Sequence, residues 1–455
     1  MNADNEEARS PEPIAADLTD AAPAPEPEPK PELSRDPTLV GPVAGEDRIF
    51  YIDLLRGLAL FGILAANMRG FFAPLSVYEN IKVLYPGMAD RIAQAFIDIF
   101  IQGKFVTLFS FLFGLGFAVQ MSRAEAKGVR FLSFYPRRLL ALALFGVVHG
   151  IAIWAGDILL TYSIAGAVLL LFRNRKQKTV LRWAAVFPTL FFVGITVFFI
   201  VARFRHTAPD PPKPPDMARL QHIVDVYAHG SFLEIVRQNW IGWVGFSLPA
   251  QFAVLFVIYL FLLGLWVWRA GIIQRMDEYL PKLKRICAIC LPLGIVLCTL
   301  ETIIPILRPN PGGRPTLLGW FANILFIVAL PTLSLGYATG LAVLIQNEAW
   351  KHRLRPFAAV GRMALTNYLL QSILCTLFFY HYTTGLYGKV GPALGLIPTV
   401  VLYGLQVPFS NWWLSRYRFG PMEWIWRGMT YGKLPTLRRE PAMAGVPATG
   451  LPDGG

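Results

Sequence analysis

Ionisable and amide side chains stand inside long apolar runs at several places in this sequence, and their spacing suggests anion binding and proton transfer. A charge in bilayer hydrocarbon costs several kcal/mol unless it is paired or faces water, so each such residue is a candidate site. The first run is YIDLLRGLALFGILAANMRG, residues 51–70. Asp53 and Arg56 are three apart and can pair on neighbouring helix faces. Arg56 and Asn67 are eleven apart. That is nearly three turns, so both point the same way, roughly 16 Å apart along the axis. The structural alternative is a snorkelling pair at 53 and 56 and an ordinary amide–helix hydrogen bond at 67.

The run RRLLALALFGVVHGIAIWAGDILLTYS, residues 137–163, holds His149 well inside it, with Asp157 at the following hairpin. Histidine changes protonation near neutrality and suits a general base that takes a proton from a hydroxyl or amine. Asp157 would orient it or bind the acceptor. The alternative is an imidazole bonded to a backbone carbonyl. The run PFAAVGRMALTNYLLQS, residues 356–372, packs Arg362, Thr366, Asn367, Tyr368, Gln371 and Ser372 together. Arg362, about one and a half turns into this span, suits a phosphate or carboxylate, Asp53 among them. Interhelical polar bonding is the competing reading for the amides. Glu301 is a further acid within a span, read as a structural pair or vestibule lining ahead of a proton relay.

Helices of membrane-spanning length must position these groups. The 455 residues are 55% hydrophobic and 16% charged, with a mean hydropathy of +0.47. Apolar runs fall at 49–68, 104–121, 139–155, 158–172, 180–201, 248–268, 286–307, 320–345, 357–380 and 395–414. The expected fold is therefore an all-α polytopic membrane protein, one bundle of about ten transmembrane helices over 48–414. Residues 92–101 alternate at helical spacing and lie in the interface or re-enter. The alternating connections hold 24 Lys and Arg on one side against 11 on the other, which puts both termini in the cytoplasm. The connection 203–238, with its APDPPKPPD stretch, then faces outward.

Residues 1–47 carry twelve acids against three bases, a net −9 within a chain total of +13. This Pro- and Ala-rich tail cannot bury enough apolar surface to order itself. It lacks the basic and apolar regions of a cleavable signal, so the first span serves as anchor. The basic remainder points to membrane lipids as neighbours and away from nucleic acid. Residues 415–455 form a second cytoplasmic tail, and its FGPMEWIWRGMTYGKLP stretch reads as a short interfacial helix. Cys287, Cys290, Cys298 and Cys375 all lie in apolar segments and read as packing residues rather than a metal site. Gly336 and Gly340 make a close-packing GxxxG. Phosphate-binding glycine loops and ATPase signatures are missing from the sequence.

The stretches RIFYIDLLRGLALFGILAANM, GKFVTLFSFLFGLGFAV, RRLLALALFGVVHGIAIWAGDILLTYSIAG, GRMALTNYLLQS and FGPMEWIWRGMTYG resemble the YeiB family of bacterial inner-membrane proteins. In order, they cover the chain from about 48 to 433. That family is similar to the transmembrane acyltransferases. Acyltransferase family three carries Arg, ten residues and then His in its first span; Arg56 matches, and Asn67 stands at the His position. The heparan-alpha-glucosaminide N-acetyltransferases end that span in Asn, matching Asn67, and place His eleven residues later, where this chain has Tyr78. His149 is then the histidine to nominate.

The resemblance implies acyl transfer in the bacterial inner membrane. Cytoplasmic acyl-CoA would be a co-substrate held near Asp53, Arg56 and Arg362, with no tightly bound cofactor and no metal. His149 would be the base, Asp157 its partner and Asn67 an oxyanion donor. The acceptor would be a periplasmic or lipid-linked sugar, or a lipid. Asn367, Gln371 and Glu301 are further in-membrane polar residues. Transport of a small hydrophobic or anionic solute, and a non-catalytic scaffold, are the rival classes.

Overall fold

The computed structural model describes residues 50–74, 84–205, 216–247, 254–307 and 316–439. The acidic segment 1–47 and Tyr78 lie outside them, as does the chain beyond 439. Among the described residues the elements are helices, with one isolated antiparallel bridge between Tyr417 and Arg438.

Among the described residues, seven helical stretches are long and apolar enough to cross a bilayer. They are α1 (Phe50–Phe72), the joined α2 (Met88–Phe100) and α3 (Lys104–Ala126), α4 (Tyr135–Val148) with its flanking turns, α6 (Gln177–Arg205), α10 (Met276–Leu307), α11 (Leu317–Leu344) and α14 (Pro392–Arg416). Three shorter helices, α5 (Leu159–Leu169), α9 (Val254–Arg269) and α13 (Ala364–Phe379), are equally apolar. Within the described residues each expected apolar run overlaps one of these helices, and the chain is a multi-pass helical membrane protein. The 92–101 stretch belongs to α2, which packs on α10 and α14. It turns into α3 at Gly103, where φ is +79°, a conformation that glycine adopts without strain.

α1 is the central post, in contact with α3, α12 (Glu348–Arg362), α13 and α14. α1 and α12 cross almost backbone to backbone at Gly57 and Gly361. A Cβ on Gly361 would lie 1.9 Å from the Asp53 carbonyl oxygen, and one on Gly57 2.1 Å from that of Phe357. Gly336 and Gly340 press α11 onto α10 in the same way, the first against Leu291 and the second against the Cys287 sulfur.

Two expectations change. The expected span 357–380 is broken at Met363 (φ −111°, ψ 37°), so Arg362 ends α12 instead of sitting inside a continuous helix. The N–H groups that a continuous helix would bond internally are taken by a side chain from elsewhere, as described below. The described part of the connection 203–238, expected to face outward, is not a plain loop. It contains α7 (Met217–His229) and the start of α8 (Phe232–Gly242). Asp216 caps α7, and a reciprocal Ser231–Glu234 capping box starts α8.

Candidate functional site

α1, α4 and α13 carry the site. Near their starts, Arg56, Arg138 and Leu365 line one cavity; near their finishes, the Phe72 and Phe379 rings lie 6.0 Å apart and Trp154, just past α4, donates to the Gly70 carbonyl at 3.0 Å. A cavity of about 300 Å³ opens among their starting halves. On α1 the wall is Asp53, Arg56, Leu60 and Ile63, one face at helical spacing. Asn67 is the next position in that row, half-buried, and is not among the lining residues. The wall carries five arginines, Arg56, Arg123, Arg138, Arg362 and Arg427, against two carboxylates, Asp53 and Glu423. Arg56 pairs with Asp53 at 3.3 Å. Arg138 lies 3.5 Å over the Trp426 ring, whose indole N–H donates to the Arg138 carbonyl at 2.8 Å. So many guanidinium groups around an apolar lumen suit a multiply anionic ligand with an apolar part.

The tail helix α15 (Pro421–Tyr431) closes part of this wall; it is built into the bundle, packed on α4 and α13, and is more than an interfacial helix. Its Glu423 carboxylate accepts from the N–H groups of Leu365 (2.6 Å) and Thr366 (3.1 Å) and from the Thr366 hydroxyl (2.5 Å). These are the orphan donors of the start of α13, which explains how the chain breaks at Met363 without loss. Burial pushes the Glu423 carboxyl above its ordinary value, and the hydrogen bonds from Thr366 and Leu365 work against that. Glu423→Ala strands three donors and is expected to lower stability by about 1–3 kcal/mol. Glu423→Gln, which keeps one accepting oxygen, loses less. Denaturant unfolding of both variants in detergent checks the ordering.

The second feature lies toward the far end. Beyond Val148, α4 widens into a turn over His149–Ile153. His149 is 1% exposed, and its Nδ1 meets the Asp157 Oδ1 at 3.0 Å. The other Asp157 oxygen accepts the Leu160 N–H at 3.0 Å and so caps α5. A carboxylate at Nδ1 fixes the proton there and leaves Nε2 as a lone-pair acceptor. That Nε2 is buried and has no hydrogen-bond partner among the described residues. The cavity reaches this pair: Ile158, next to Asp157, lines it, and so does Tyr368, whose ring centre lies 5.2 Å from that of His149. The bundle therefore holds an arginine-lined cavity and a His–Asp pair separated by one tyrosine.

The remaining nominated residues lie elsewhere. Asn367 donates to Ser410 (3.0 Å) and Val360 (3.2 Å), and Gln371 donates to Gln406 (2.8 Å), so both fasten α13 to its neighbours. Glu301 stands beside the buried Lys104. Lys104 donates to the Asp98 carbonyl, while the Asp98 carboxylate accepts from Gln94 (2.8 Å) and Arg69 (3.3 Å). This second polar network ties α1, α2, α3 and α10 together apart from the cavity. The four cysteines are free, and among the described residues no group of His, Cys, Asp and Glu is arranged to hold a metal.

Sequence reasoning named Tyr368 only as one polar residue of its span, and it missed Glu423, Arg123, Arg138 and Arg427. The arginines read as connection or tail charge because Arg123 and Arg138 fall between expected spans and Arg427 falls beyond the last one. Glu423 carried a signal: it is a lone acid in the first turn of an aromatic-rich helix.

The fold and site define a helical multi-pass membrane protein with an arginine-lined cavity beside a buried His–Asp pair. Residues 267–433 match the family described as "Protein of unknown function (DUF418)", a stretch that includes Arg362, Tyr368 and Glu423. The chain is 37% identical over 405 residues to "Uncharacterized protein YxaH" of Bacillus subtilis (strain 168), covering 86% of this chain and 96% of that protein. It is 29% identical over 393 residues to "Uncharacterized protein YeiB" of Escherichia coli (strain K12), covering 84% and 96%. A third relative, "Uncharacterized 39.9 kDa protein in amylase 3'region" of Bacillus acidopullulyticus, is 27% identical over 412 residues. The chain belongs to this family of YeiB-like proteins.

Proposed function

We propose that this protein is a ten-span acyltransferase of the bacterial inner membrane, with both termini cytoplasmic, moving an acyl group from cytoplasmic acyl-CoA to an acceptor outside. The observation that supports this reading best is the buried His149–Asp157 pair at 3.0 Å, with Nε2 unpartnered, next to a cavity walled by five arginines. The nucleotide phosphates of the donor sit at the arginines. A lumen of about 300 Å³ takes the pantetheine arm and thioester, leaving the nucleotide toward the cytoplasm.

In the reaction, His149 Nε2 takes the proton of an acceptor hydroxyl or amine as its oxygen or nitrogen bonds to the thioester carbon. The carbon–sulfur bond then breaks, and the imidazolium returns the proton to the departing CoA thiolate. Asp157 holds the imidazole tautomer and stabilises its charged form. Asn67, one helical position past the cavity row, is the nominated donor to the oxyanion.

The test is thermal stability of the detergent-solubilised protein with acetyl-CoA, long-chain acyl-CoA, free CoA and ATP. A ligand at 100 times its Kd adds about 2.7 kcal/mol to the folded state. CoA species are expected to stabilise and ATP to do so weakly. Arg56→Ala and Arg362→Ala should each weaken CoA binding by about tenfold or more, the loss of a hydrogen bond to a charged group. CoA affinity unchanged in both variants would mean that this donor site is wrong.

A further inference from the structure

The far end of the bundle has a cover. α8 and the turn after it, Trp243–Ser247, sit on the five residues that begin with His149. The inward face of α8 is Ile235, Asn239 and Trp243, all buried. The Asn239 amide donates to the Ile153 carbonyl at 3.3 Å and its oxygen accepts the Tyr227 hydroxyl at 2.9 Å. The Trp243 indole fills the space above Gly150, where a Cβ would fall 2.6 Å from its nitrogen. His149 is thereby covered at this end of the bundle.

The opposite face of the same helix is apolar and bare. Leu233 is 75% exposed and Trp240 47%, with Ile241 and Val244 also exposed. Positions 233, 237, 240, 241 and 244 share one side at helical spacing, and Arg237 among them is exposed. Large apolar groups with one tryptophan and one arginine are the composition of a helix lying at a membrane surface. A second row leads to the same place. On α4, Leu140, Leu144 and Val148 are exposed at four-residue spacing, and the row ends on the residue before His149. The apolar exterior of a spanning helix therefore continues onto the cover of the His–Asp pair.

We propose that α8 is seated in the membrane leaflet at this end of the bundle, so that access to His149 is from lipid rather than from water. Taken with the acyl-transfer reading, on which this second step rests, the acceptor is a membrane amphiphile with a hydroxyl or amine head group, entering beside the Leu140–Val148 row. A water-soluble sugar would have no route past the Tyr227–Asn239–Trp243 seal.

The full-length protein in lipid nanodiscs containing a diazirine phosphatidylethanolamine tests both statements without turnover. After irradiation and digestion, peptides spanning 232–244 should carry lipid adducts several-fold above those spanning 217–225, and peptides spanning 149–158 should be labelled too. Absence of adducts on 232–244, with adducts present on the 140–148 row, overturns the seating. Adducts on 232–244 but none on 149–158 overturn lipid access to His149. A spin label at Ile241→Cys, with Cys287, Cys290, Cys298 and Cys375 replaced by Ala, gives an independent reading. Oxygen accessibility like that of a label at Leu144→Cys supports the seating, and water-like accessibility overturns it. Strong spin–spin dipolar broadening together with low oxygen accessibility would instead place a second copy on this face and also overturn it. Failure of CoA to stabilise the protein would end the acyl-transfer reading and leave the lipid result standing.

Discussion

Asp157→Asn is expected to abolish acyl transfer while leaving the protein folded. Both oxygens of Asp157 are engaged, one by His149 Nδ1 at 3.0 Å and the other by the Leu160 N–H at 3.0 Å. An asparagine has one oxygen and one NH₂. The Leu160 N–H requires an acceptor, so the amide oxygen goes there and the NH₂ faces His149. Nδ1 must then accept, which moves the ring proton to Nε2 and removes the lone pair that a general base needs. In a His–Asp pair such a reversal lowers kcat by about 10⁴-fold, a loss known from the serine-protease triad. Both hydrogen bonds survive with reversed polarity, so stability should change by no more than about 1 kcal/mol. Paired measurements of acyl transfer in nanodiscs and of the unfolding midpoint check this. Transfer within tenfold of wild type, in a folded variant, would exclude His149 as the base. His149→Ala should lose transfer equally, because neither member acts alone.

The helices were legible in the sequence because bilayer thickness imposes a length that few soluble helices meet and a composition that is hard to disguise. The dyad was legible in part. His149 stood out as a histidine in an apolar run, but its eight-residue separation from Asp157 gave no sign that a widened turn folds the chain back between them. Asp53 and Arg56 share one wall of the cavity, as helical phase dictates, while Asn67, expected on the same stripe, does not line it. The partners of Arg362 were out of reach. Its place depends on a break at Met363 made possible by Glu423, 60 positions further along the chain. Asn367 and Gln371 looked like Arg362 in composition yet serve a different purpose. Hydrogen-bond partners on a neighbouring helix, Ser410 and Gln406, settle that, and no local pattern encodes which helix becomes the neighbour. Tyr368 was named with its polar neighbours but given no role, because a tyrosine in a span is unremarkable until its ring is found between a cavity and an imidazole.

Gly361→Ala should be among the most damaging single-methyl changes in the bundle, in stability and in anion binding together. The added carbon would stand 1.9 Å from the Asp53 carbonyl oxygen and 2.7 Å from the Gly57 nitrogen. Both are backbone atoms of α1, so no side chain can swing aside. The helices must separate by more than 1 Å, and α1 is the post on which α3, α12, α13 and α14 all pack. Overpacking of this kind costs about 3 kcal/mol or more. The chemistry suffers by the same movement. Arg362 is the next residue after Gly361, while Arg56 and Asp53 lie on the opposing helix, so separation pulls apart the arginines that wall one cavity. Any fraction that stays folded should show a reduced stabilisation by CoA. The control is Gly404→Ala on α14, where a Cβ meets nothing within 4 Å. There the better helix propensity of alanine should raise stability by up to about 1 kcal/mol. Unfolding curves for the two variants, with and without CoA, therefore move in opposite directions. A Gly361→Ala protein as stable as wild type would show that α1 and α12 do not cross at this distance, and with that the shared wall of the cavity would have to be redrawn.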